Sequence, residues 1–145
     1  MTKTMILVAD SSRARLYLAD TPKAVLREVA DFTSPDGRLS ESELVTDRPG
    51  SARGAAGQGL RLYDQPTTAQ EEARIQFARR LVERLEQDRI QGVFDQFVLV
   101  APAAMLGKLR AEVKGPLAKV LVESLDKNLV QLSPDELRAQ VNVLL

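Results

Sequence analysis

Two carboxylates and a set of arginines stand where side chains of their type could do chemistry. Asp10 follows the apolar run "TMILVA" and opens "DSS", and Asp126 follows "AKVLVESL". Carboxylates converging at strand ends can hold Mg²⁺ for phosphodiester hydrolysis. No convincing third carboxylate joins these two, and an Asp before two serines ordinarily caps a turn. Turn capping is the preferred reading, so neither a metal nor a cofactor is expected. Arg48, Arg53 and Arg61 occur with no acid between positions 48 and 63. With Arg13 and Arg15 of the preceding hairpin they could contact RNA or another anion, against the plainer reading of a solvated loop. Between them lies "GAAGQG" (54–59). It lacks the Gly-Lys-Ser/Thr ending of a phosphate-binding P-loop, and no strand leads into it as in a dinucleotide site. Gly57 and Gln58 remain as candidate binding residues, because Gln58 is its one side chain that both donates and accepts hydrogen bonds.

Composition narrows the classes further. The sequence contains no Cys and no His. Thiol nucleophiles, disulfides, Cys/His zinc sites and His-based triads are therefore excluded. The 20 basic and 20 acidic residues balance, so there is no globally basic field. Four Phe, two Tyr and no Trp leave no aromatic platform for stacking bases. No apolar run approaches the length of a membrane-spanning helix, and the short N-terminal run is followed by Arg13 and Arg15 rather than a cleavage site. A cytoplasmic protein with no membrane span is expected.

These residues need elements to hold them. "TMILVA" (4–9) reads as a strand buried on both faces. "ARLYLAD" (14–20) alternates, with Ala14, Leu16 and Leu18 on one face. "AVLREVADFT" (24–33) follows as a third strand, with Leu26, Ala30 and Phe32 inward. A Gly/Pro-rich loop occupies about 34–66. The spacing then predicts a helix over 67–91, capped by Thr67 with Gln70 or Thr68 with Glu71, with Ile75, Ala78, Val82 and Leu85 in its apolar stripe and Phe77 and Leu81 flanking it. Its basic and acidic residues balance, as on a solvated face. "FDQFVLVAP" (94–102) is a buried strand and 103–113 a short helix. Residues 118–125 read as a strand, with a helix as the other possibility. "SPDELRAQV" opens a last helix with Ser133 as cap and Glu136 at the capping-box position.

The order β-β-β-α-β-α-β-α asks for antiparallel hairpins first and parallel crossovers afterwards. A mixed five-stranded sheet in the order 3-2-1-4-5, with helices on its faces, satisfies both. This is an α/β, ribonuclease-H-like arrangement in a single domain over 1–145.

Five ordered stretches resemble the bacterial host-attachment protein family, described as required for attachment to host cells. They are "LVADSSRARLY" (7–17), "TDRPG" (46–50), "EEARIQFARRLVERL" (71–85), "FDQFVLVAPAAMLGKLR" (94–110) and "LDKNLVQLSPDEL" (125–137). Lys127 in the last of these joins the candidate binding residues. The family is itself similar to the middle domain of archaeo-eukaryotic peptide-chain release factors, which has a ribonuclease-H-like sheet. In those factors a Gly-Gly-Gln loop before the long helix helps hydrolyse peptidyl-tRNA. "AGQG" (56–59) stands at the corresponding place with Ala56 where that motif has Gly, and Thr68 or Ala69 stands where many family members carry a His. The resemblance thus implies Gln58 as a candidate catalytic residue. The preferred expectation is a non-catalytic binding or regulatory module for RNA, the ribosome or another protein. A peptidyl-tRNA hydrolase is the alternative, and a metal-dependent nuclease ranks below both.

Overall fold

The computed structural model describes residues 2–22, 24–34 and 64–141. Five strands form one sheet: β1 (Thr4–Ala9), β2 (Arg13–Ala19), β3 (Arg27–Thr33), β4 (Gln96–Ala101) and β5 (Leu121–Asp126). Their order is β3-β2-β1-β4-β5. The β1–β2 and β2–β3 pairs are antiparallel, and β1–β4 and β4–β5 are parallel. This is the expected ribonuclease-H-like order, and it follows from the local signals. Short polar turns fold β1–β3 back on themselves, while helices separate the later strands and force crossovers.

Every residue of β1 is buried, as is all of β4 after Gln96. Ile6 lies opposite Val98 and Leu7 opposite Leu99 in the parallel ladder. The pleat divides the two runs between two cores. Met5, Leu7, Phe97 and Leu99 face one layer, and Ile6, Val8, Val98 and Val100 the other.

The first layer is made by α1 (Asp64–Ile90), α2 (Ala103–Glu112) and the short α3 (Pro116–Lys119). Phe77, Ala78, Leu81, Val82 and Leu85 of α1 are buried there, with Met105, Leu106 and Leu109 of α2. Ile75, expected in the stripe, is only half-buried, and Phe77 and Leu81 carry the centre of the face. The second layer is α4 (Pro134–Val141), which buries Leu137 and Val141. Its start is the predicted capping box: Glu136 N–H donates to Ser133 Oγ at 3.2 Å, and Ser133 N–H donates to Glu136 Oε1 at 3.0 Å.

Three element boundaries differ from expectation, each for a local reason. The third strand begins at Arg27, not at 24. A register shift pairs Leu16 with Ala30 but Tyr17 with Glu28, leaving Val29 as an extra residue. That bulge reverses the alternation, so Leu26 packs in the second core while Ala30 and Phe32 pack against the first. The long helix begins at Asp64, three residues before the expected cap. Pro66 is no obstacle, because the N–H groups of a first turn have no intrahelical acceptor. The stretch read as a strand over 118–125 is split. Gly115 turns the chain at φ 62, and Pro116 starts the short helix before β5.

Candidate functional site

Asp10 leaves the C-terminal end of the central strand. Its Oδ1 accepts from the N–H groups of Ser12 at 2.9 Å and Arg13 at 2.8 Å, and its own N–H donates to the Arg13 carbonyl at 2.8 Å. It therefore caps the β1–β2 turn, as the Asp-Ser-Ser sequence suggested. The turn brings Ser11 and Ser12 to the sheet edge from which β1, β4 and β5 all emerge. Ligands of open parallel sheets sit on that side.

A cleft of about 380 Å³ opens there. Asp10, Ser11 and Ser12 form one wall, Arg74 of α1 another, and Asn128 after β5 a third. The remaining wall is the β4–α2 junction, with Pro102, Ala104 and Met105. Pro102 is the N-cap of α2, gives no side-chain cap, and no acid occupies the first turn. The helix start thus adds a partial positive charge to the cleft. Arg74 supplies a full one, and the hydroxyls and the Asn128 amide can donate as well as accept.

A second, more apolar groove of about 530 Å³ lies between α1 and α2. Ala103, Ala104, Gly107 and Ala111 line it from α2 and Ile75 from α1. The other lining residues form two ion pairs that cross between the helices. Lys108 Nζ is 2.8 Å from Glu71 Oε2, and Arg79 Nε is 3.3 Å from Glu112 Oε2. The Lys108 ammonium, helped by Arg74, holds the Glu71 carboxyl below its ordinary value. Ala104 borders both the cleft and the groove.

The other predicted residues fall elsewhere. Arg13 and Arg15 face acids of β3, at 3.8 Å from Asp31 and 3.9 Å from Glu28. Beside Arg15 lies Tyr17, whose hydroxyl helps hold the guanidinium proton, but neither Arg15 Nε nor Tyr17 Oη makes an aligned hydrogen bond. Asp126 ends β5 and is exposed, and Lys127 beside it is exposed too. Among the described residues no three acidic side chains converge as metal ligands would. Arg48, Arg53, Gly57, Gln58 and Arg61 lie outside the described residues. Sequence reasoning missed Arg74, Asn128 and the start of α2. Only the last had a visible signal, a helix beginning after Ala-Pro with no Ser, Thr, Asp or Asn to cap it.

Residues 5–141 match a family model described as a protein required for attachment to host cells. The chain belongs to this host-attachment family. Curated proteins gave no match. Among solved structures, an archaeal translation termination factor is similar over 98% of this chain and 39% of its own, at 12% identity and a TM-score of 0.45. The PPX-GPPA enzyme of Aquifex aeolicus is similar over 86% of this chain and 36% of its own, at 13% identity and a TM-score of 0.41. The type II variant of the Ppx/GppA phosphatase from Aquifex aeolicus gives 87% and 36%, at 14% identity and 0.38. The host-attachment chain thus spans well under half the length of each of these proteins. No helix among its described residues is long and apolar enough to cross a membrane.

Proposed function

We propose that this host-attachment protein is a non-catalytic binding module that takes RNA by its phosphates, at the cleft where β1, β4 and β5 end. One observation carries this reading. Arg74, the Ser11 and Ser12 turn, Asn128 and the uncapped start of α2 come from four parts of the chain and line one cleft. An arginine, hydroxyl donors and a helix N-terminus are together suited to phosphate oxygens. Among the described residues Asp10 is the one acid in that lining, and one of its oxygens already holds two backbone N–H groups. That arrangement supports binding more than acid–base work, which needs a partner of matched pKa within reach. The proposed working compartment is the cytoplasm, where RNA and ribosomes are met.

The test is fluorescence anisotropy with a labelled single-stranded RNA over a series of salt concentrations. The reading expects affinity that falls with salt, and an Arg74→Ala variant that binds about tenfold or more weakly with a shallower salt slope. RNA binding that is absent, or equal in the Arg74→Ala variant, contradicts it.

A further inference from the structure

Beyond the cleft, one exposed cation of α1 is held in place without an acid. Arg80 Nη2 donates to the Thr33 carbonyl at 2.6 Å, and its guanidinium carbon lies 5.3 Å from the centroid of the Phe77 ring. Both partners are neutral, so the charge stays uncompensated. The neighbouring arginines differ: Arg79 pairs with Glu112, Arg84 with Asp88 and Arg89 with Glu86. Among the described residues Arg80 forms no ion pair. We infer that Arg80 holds a second phosphate of the same RNA strand, so that the protein grips the backbone at two points along one edge of the sheet. The inference rests on the phosphate-binding reading of the cleft and adds a contact that the cleft itself does not contain.

The topology carries the argument. β3 pairs antiparallel with β2, and β2 antiparallel with β1, so β3 runs in the direction of β1 and ends at the same edge. Ser34, just beyond β3, donates its N–H to the Ser12 carbonyl at 2.9 Å. The cleft wall at Ser12 and the anchor of Arg80 at Thr33 are thus separated by one hydrogen bond and one peptide unit. A hollow of about 280 Å³ opens there between Ser34 and α1, lined also by Ala73, Gln76 and Arg80. Arg80 follows Arg74 by about 9 Å of helix axis, a span of roughly two or three nucleotides at the ~3.4 Å rise of a stacked strand. The Thr33 carbonyl and the Phe77 ring fix the guanidinium before a ligand arrives, which lowers the ordering cost of binding. Its remaining N–H donors are left for phosphate oxygens. Glu83 lines the same hollow and works against a phosphate there, so its removal is expected to tighten binding.

The experiment measures a single-stranded RNA oligomer by anisotropy over a salt series, on the wild type and on folded variants checked by thermal melting. Arg80→Gln removes the charge but keeps a donor for the Thr33 carbonyl. Arg80→Lys keeps the charge. Arg84→Gln removes a charge already paired with Asp88 and is the control. The expected result for Arg80→Gln is binding about three- to tenfold weaker, with a log–log salt slope smaller by about 0.7, the loss of one phosphate contact on a single strand. Arg80→Lys keeps most of the wild-type slope, Arg84→Gln changes neither quantity, and Glu83→Gln binds more tightly at low salt. An Arg80→Gln variant that binds like the wild type, or that loses no more than Arg84→Gln, overturns the second contact while the Arg74 reading of the cleft stands. Failure of the wild type to bind, or a loss in Arg80→Gln with none in Arg74→Ala, overturns the cleft reading and the two-point grip with it.

Discussion

Asp10 shows how one carboxylate serves the fold and the site at once. Its Oδ1 is occupied by the N–H groups of Ser12 and Arg13, which fixes the turn that presents Ser11 and Ser12 to the cleft. Replacing it with Ala leaves those partly buried donors without an acceptor. Asp10→Ala is expected to cost about 1–3 kcal/mol, and Asp10→Asn, which keeps a side-chain oxygen, clearly less. Urea unfolding midpoints of the two variants check this. An Asp10→Ala variant as stable as the wild type would show that the turn does not depend on the carboxylate. Arg74 is different, because nothing in its sequence neighbourhood sets it apart from Arg79, Arg80 or Arg84. Arg80 donates to the Thr33 carbonyl at 2.6 Å, Arg84 pairs with Asp88 at 3.0 Å and Arg79 pairs with Glu112, while the charge of Arg74 acts on Glu71. Arg74 is the arginine of that helix that lines the cleft.

At the scale of elements, the site depends on how α1 and α2 are held side by side over the first core. The Lys108–Glu71 pair spans them in the lining of the groove. The hydrogen bond from Lys108 lowers the Glu71 carboxyl most; burial opposes it, and the charges of Lys108 and Arg74 add to the lowering. A carboxyl that is more acidic in the folded state stabilises the fold above its unfolded-state pKa, and this contribution is lost as pH falls through the lowered value. The melting temperature is therefore expected to fall on acidification through and below the ordinary carboxylate range. Glu71→Gln should flatten part of that fall and lower stability slightly at neutral pH, since the Glu71 side chain is nearly half exposed and its pair is screened by solvent. Melting curves of both proteins across that pH range are the check. A Glu71→Gln profile parallel to that of the wild type would remove the pair from the account. The sequence marked α1 as a solvated helix with balanced charges, but it could not show which charges pair across to α2.

For the molecule as a whole, the sheet was legible because its signals are local. "TMILVA" and "FVLVA" are unbroken apolar runs, and they lie adjacent, parallel and buried at the centre. The capping box at Ser133 was equally plain. The bulge at Val29 was not, because an extra residue in an edge strand leaves the composition of that strand unchanged. The cleft was only half legible. Asp10 and the two serines are contiguous, so their turn could be read, but Arg74 and Asn128 meet them through contacts between segments far apart in sequence. The sequence instead drew attention to arginines that pair on the hairpin, Arg13 and Arg15, and to "GAAGQG", which lies outside the described residues.

The central claim, that the protein holds RNA phosphates at the end of β1, β4 and β5, is tested most directly by mapping binding residue by residue. ¹⁵N-labelled protein is titrated with a 5′-phosphorylated RNA oligomer while the backbone amides are followed by NMR. The account predicts that the largest shifts fall on Ser11, Ser12, Ala103, Ala104, Met105 and Asn128, with the amides of α4 little changed. Shifts that leave the Ser11–Ser12 turn and the start of α2 unmoved, and gather on α4 or the outer edge of β3, would contradict it.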